Sequence, residues 1–146
     1  MSVVLGDAHG EHIRLTALSR ERAESGDYDD DNWLNSRVGL RCSGFRADYP
    51  ASLRSDDFDA LATVLRAMQR RAAAPATWGP MEPWLELTID PSGDIATVQG
   101  VATERIGYGN SLRFSMPLSA AAMERALDDI ALLLTVFPVP PRPATR

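Results

Sequence analysis

Five stretches of this chain alternate apolar and polar side chains with a period of two, and turn-forming residues join them. Successive side chains of a strand point to opposite faces, so the alternation predicts strands with one buried side. Ile13, Leu15 and Ala17 follow Val3-Val4-Leu5 across Gly6-Asp7-Ala8-His9-Gly10, which reads as a hairpin. From Trp33 onward, Leu34, Ser36, Val38, Leu40 and Cys42 share one face, with Asn35, Arg37, Gly39 and Arg41 on the other. Ser43-Gly44 then shifts the register, making Phe45, Ala47 and Tyr49 the apolar set, and Pro50 marks where central pairing should stop. Further along, Leu85, Leu87 and Ile89 alternate with Glu86, Thr88 and Asp90, and Asp90-Pro91-Ser92-Gly93 is turn chemistry. Residues 95–104 read as the return strand, with no inward face singled out by the pattern. Gly107 to Asn110 turn the chain again, into a strand with Leu112, Phe114 and Met116 on one side.

Two segments carry helical spacing instead. Phe58, Leu61, Ala62, Leu65 and Met68 fall on one stripe, behind Ser55 as the expected N-cap and the first-turn acids Asp56 and Asp57. The second stripe is Met123, Leu127, Ile130, Ala131 and Leu134, capped by Ser119 with Leu118 and Met123 as a hydrophobic staple, and Phe137-Pro138 ends it. Residues 72–83 read as a Pro-containing connector. The strand links are short, so the sheet should be mainly antiparallel, in an α+β fold with two helices packed on one face. The order is strands, a helix, strands, a helix, which suggests two related halves. One domain over residues 1–138 is expected, and residues 139–146, with three prolines, should be extended or disordered.

Composition narrows the chemistry. All 15 basic residues are Arg and none is Lys, which excludes a P-loop, a Schiff-base enzyme, a Ser-Lys pair and a protein-kinase site. The 45% of hydrophobic residues is too many for a disordered chain, and with no apolar run of membrane-spanning length a cytoplasmic protein is expected. The single cysteine, Cys42, sits on an apolar face and reads as a small buried hydrophobe. His9 and His12 are the only histidines; their spacing suits a helix, but they fall in a turn and a strand start, so no metal site is expected. No G-x-S-x-G or glycine-rich phosphate loop is present, and neither an enzyme nor a cofactor is expected.

Residues 19–32 lack any apolar period and hold Glu21, Glu24, Asp27, Asp29, Asp30 and Asp31, which reads as an exposed acidic loop. With a net charge of −5, the chain should be repelled by nucleic acid and by anionic lipid and suits a basic protein partner. Among Trp33, Trp78 and Trp84, the last lies opposite the Leu85 face and is the expected exposed anchor.

The order of motifs resembles the WapI-type immunity family. The likeness rests on Leu5-Gly6 with Gly10, the acid-rich lead into Asn32-Trp33-Leu34 with Arg37, Phe45-Arg46-Ala47, Leu61 to Leu65, Glu82-Pro83-x-Leu85, and a last helix ending in Phe137-Pro138. It runs from about Val4 to Pro138 and departs at Ile106-Gly107-Tyr108-Gly109. The resemblance implies a bacterial protein made beside a polymorphic toxin, which binds the toxin's C-terminal catalytic domain and blocks its active site. Glu24, Asp27, Asp29, Asp30, Asp31 and Trp84 are then the expected toxin-facing residues. An alternative from another class is a small-molecule-binding or regulatory module using the sheet face, where Arg37, Arg41 and Arg46 would clamp an anion.

Overall fold

A computed structural model describes residues 1–22, 25–71 and 73–144. The chain runs β1 (Ser2–Gly6), β2 (His12–Arg20), α1 (Tyr28–Asn32), β3 (Trp33–Cys42), β4 (Phe45–Arg54), α2 (Ser55–Gln69), β5 (Ala76–Trp78), β6 (Leu85–Asp90), β7 (Ala96–Thr103), β8 (Ser111–Leu118) and α3 (Ala120–Val136). The fold is α+β, and its strands divide into two antiparallel four-stranded meanders, β1-β2-β3-β4 and β5-β6-β7-β8. Each half is thus four strands followed by a long helix, the repetition that the order of elements suggests.

The alternation of the sequence sets the faces. Leu34, Ser36, Val38, Leu40 and Cys42 are buried on β3, opposite Leu53, Ala51, Tyr49, Ala47 and Phe45 of β4 in register. Leu85, Leu87 and Ile89 are buried on β6 and face Ala102, Gly100 and Val98 of β7, so the inward residues of the return strand are the small ones. Gly100 has no room for more: a Cβ there would lie 2.4 Å from Phe114 Cζ. Gly6, at φ +106°, turns the first hairpin with its α-carbon against the Glu11 carbonyl, where only glycine fits.

The helices interlock the halves. Helix α3 packs along β1 at the far end of the chain, α2 packs on β5, and the two helices touch each other. Asp129 of α3 accepts the Val4 amide at 3.2 Å, which satisfies a donor on the outer edge of β1. On α2 the expected stripe of Phe58, Leu61, Ala62, Leu65 and Met68 is buried throughout. On α3 the buried stripe is Ala122, Met123, Ala126, Ile130 and Leu133, while Leu127 and Leu134 flank it and Ala131 is exposed. Ser119 does cap α3, accepting the Ala122 amide at 3.1 Å.

Four sequence expectations change. Pairing does not stop at Pro50: β4 continues to Arg54, because it is an edge strand and a missing N–H can face outward there. Ser55 is not the cap of α2 but its first residue, fully buried with its hydroxyl unpartnered; Arg54 is the cap, and Asp57 accepts the Arg54 amide at 2.7 Å. The connector at 72–83 contains strand β5, secured where the buried Trp78 indole donates to the Asp57 carbonyl at 2.9 Å. The segment at 19–32 is not a continuous loop: β2 extends to Arg20 across a bulge, and α1 follows.

Candidate interaction surface

The acid-rich segment is built by its own carboxylates. Asp27 caps α1, accepting the amides of Asp29 at 2.9 Å and Asp30 at 3.1 Å, which stabilises a helix of five residues that would be too short alone. Asp31 turns back onto the preceding strand exit and accepts the Ser25 amide, the Ser25 hydroxyl and the Gly26 amide at 2.7, 2.9 and 2.9 Å. Those bonds, the Ser25 amide first, hold its carboxyl below the usual aspartate range. Asp30 pairs with exposed Arg22 at 3.2 Å, and Asp29 projects into solvent. Glu24 lies outside the described residues.

The segment is also tied to the body. Buried Asn32 donates to Asp56 of α2 at 2.7 Å and accepts the Asp56 amide at 3.0 Å, while the Tyr28 hydroxyl donates to the same carboxylate. Arg20 donates to the carbonyls of Asp31 and Pro138, the latter at 3.1 Å, and Arg142 lies 5.7 Å over the Tyr28 ring. The chain after α3 therefore runs beside α1, and an open depression of about 650 Å³ between them is lined by Tyr28, Asp56, Asp59 and Arg142 among others. Asp27, Asp29, Asp30 and Asp31 are consequently held together on one short helical segment.

Trp84 stands apart from that segment in its bonding. It is half-buried: its indole donates to Glu82 at 3.0 Å, its carbonyl accepts the Tyr49 hydroxyl at 2.6 Å, and its ring lies 6.5 Å from that of Tyr49. Trp33 is equally half-buried, with the Arg54 guanidinium 5.8 Å above it. Trp84 is thus not the one exposed tryptophan that its position opposite Leu85 suggests, because the Tyr49 side chain of the other half comes up against it.

Nucleophiles and ligands are dispersed. Cys42 is buried, donates its thiol to the Ser115 carbonyl at 3.0 Å, and has its pKa raised by burial, the behaviour of a core residue. His9 is exposed, and His12 Nδ1 lies 3.1 Å from the Asp7 carbonyl and 3.0 Å from that of Gly10. Among the described residues, no three His, Cys, Asp or Glu side chains converge as a metal site would require. No helix among them is long and apolar enough to cross a membrane.

The outer face of the first sheet carries a second charged surface. Rows His12–Arg41–Arg46, Arg14–Gly39–Asp48 and Thr16–Arg37–Pro50 run across β2, β3 and β4 on the side away from the core. Arg37 is paired with Asp48 at 3.0 Å, whereas Arg41 and Arg46 face each other directly in register. Arg37, Arg41 and Arg46 are legible in the sequence as one polar strand face and its partner; Arg14 joins them only through the pairing of β2 with β3.

Residues 4–138 match the model of the Immunity protein WapI-like family. No curated protein matches the chain. Among solved structures, it is similar to a chain of the Trypanosoma bruciei MRP1/MRP2 structures, at a TM-score of 0.48 and 11% identity, with 93% of this chain and 83% of that one covered.

Proposed function

Because the chain belongs to the WapI-like immunity protein family, we propose that it acts by binding the catalytic domain of a cognate bacterial toxin and occluding its active site. The observation that carries the reading beyond the family is the acidic segment on α1: Asp27 to Asp31 are presented on a braced helical turn, with Asp29 exposed. A toxin acting on nucleic acid must carry positive charge to hold phosphates, so a fixed group of carboxylates competes for the same groups and steers the encounter. Nothing in this mechanism asks the immunity protein to transform a substrate, and it acts through contact alone. Trp84, at the seam between the halves, is a candidate apolar anchor beside the charged contacts.

The test is to purify the catalytic domain of the toxin encoded beside this chain and titrate it with the full-length protein. Inhibition should be complete near one equivalent and should weaken with added salt, since screening shortens the reach of exposed charges to roughly 10 Å at 0.1 M. Changing Asp29 and Asp30 to Arg should slow association at low salt by about tenfold or more while leaving the circular dichroism spectrum unchanged. A toxin domain that stays active under saturating wild-type protein ends the occlusion reading; an unchanged on-rate in the double variant removes α1 from it.

A further inference from the structure

The geometry points to a second docking surface of opposite sign: the outer face of the first sheet, centred on Arg41 and Arg46, takes an acidic patch of a partner protein. This goes beyond the toxin-facing role of α1, since it concerns different residues, a different element and the opposite charge.

Charge is segregated in this molecule. The chain as a whole carries a net charge of −5, yet the three cross-strand rows of this face hold Arg14, Arg37, Arg41 and Arg46 against the single carboxylate of Asp48. Asp48 is already taken by Arg37, and among the described residues Arg14, Arg41 and Arg46 make no ion pair. At the hairpin tip the Glu11 carboxylate is held by the Ser43 amide at 3.1 Å and its hydroxyl at 2.9 Å and forms no ion pair with Arg41 or Arg46.

The Arg41–Arg46 pair has a cost that the fold does not explain. Like charges directly opposite each other across two strands destabilise the pair, and an acidic residue at either position would stabilise it. A carboxylate brought by a partner would relieve the repulsion and accept a bidentate hydrogen bond from a guanidinium. Arg37 and Arg41 are four residues apart on one strand, roughly 13 Å, and Gly39 between them leaves the floor of the face without a side chain.

Carboxylates of a protein fit this face better than a nucleic acid does. A phosphate backbone continues past a patch of this size onto a protein whose net charge is −5, whereas an acidic patch on a folded partner ends where the arginines end.

The experiment uses the full chain and a fluorescein-labelled octaglutamate peptide, followed by anisotropy, with an octathymidylate of the same length in parallel. Arg41→Glu removes a charge from the face and creates an opposite-charge cross-strand pair with Arg46. It should weaken peptide binding by about tenfold while raising Tm. Arg46→Glu should do the same, and Arg70→Glu, an equal charge change at the end of α2, should leave binding intact. Equal peptide binding by wild type and Arg41→Glu overturns the proposal, as does no binding at all. Tighter binding of octathymidylate assigns the face to nucleic acid instead, and self-association of the wild type that Arg41→Glu abolishes assigns it to a second copy; either result overturns the protein-carboxylate assignment.

Discussion

Gly100 shows how a single residue can be set by its neighbours. It sits in the interior of β7 between Leu87 and Phe114, and an added Cβ would come within 2.4 Å of the Phe114 ring and 2.9 Å of Leu87 Cδ2. Both contacts are with the ends of side chains that are themselves packed in the core, Phe114 at 7% and Leu87 at 2% exposure, so they yield only by displacing their neighbours, and Gly100→Ala should destabilise by about 1–3 kcal/mol through overpacking, read as a lower midpoint in urea with little change in slope. The sequence alone does not mark this position. The inward residues of β7 are Val98, Gly100 and Ala102, too small to stand out from the threonines around them, and at Gly100 it is Phe114 that occupies the space. Cys42 is the opposite case: its place on an alternating apolar face already identifies it as a core residue, and it is buried at 7% exposure.

At the scale of the element, α1 depends on ionised carboxylates. Asp31 is held below its ordinary value chiefly by the Ser25 amide, so its contribution is complete above the unfolded aspartate value of 3.8 and is lost as pH falls through the lower folded value. The amide shifts of Ser25 and Gly26 should therefore move toward those of a loosened segment only below that range, and Asp31→Asn should shift them at every pH. A segment without apolar periodicity reads as loop by default, since helix recognition from sequence rests on a buried stripe. What makes α1 a helix is the Asp27 cap together with the anchor of buried Asn32 to Asp56, and the second of these exists only once α2 is in place. Strand β5 is not legible in the sequence for a related reason: three residues between prolines have no period, and Trp78 is drawn into the sheet by a bond to α2.

The molecule as a whole is two similar halves that exchange support. Tyr49 of the first sheet donates to the Trp84 carbonyl of the second half, and burial pushes its phenol well above the usual tyrosine range. Tyr49→Phe should cost about 0.5–1.5 kcal/mol of global stability, with tryptophan fluorescence and far-ultraviolet signal lost in one transition; two separate transitions would show that the halves unfold independently. From its sequence, this protein is determined in the period and order of its strands and long helices, its antiparallel links, its core stripe on α2 and the family it belongs to, because those follow from local alternation, turn chemistry and the order of motifs. The division into two sheets, the crossing of α3 onto β1, the bracing of α1 and the gathering of four arginines on one face were decided by the tertiary structure. Each of these joins residues far apart in the chain, and no local pattern records which strand edge or helix a segment will meet.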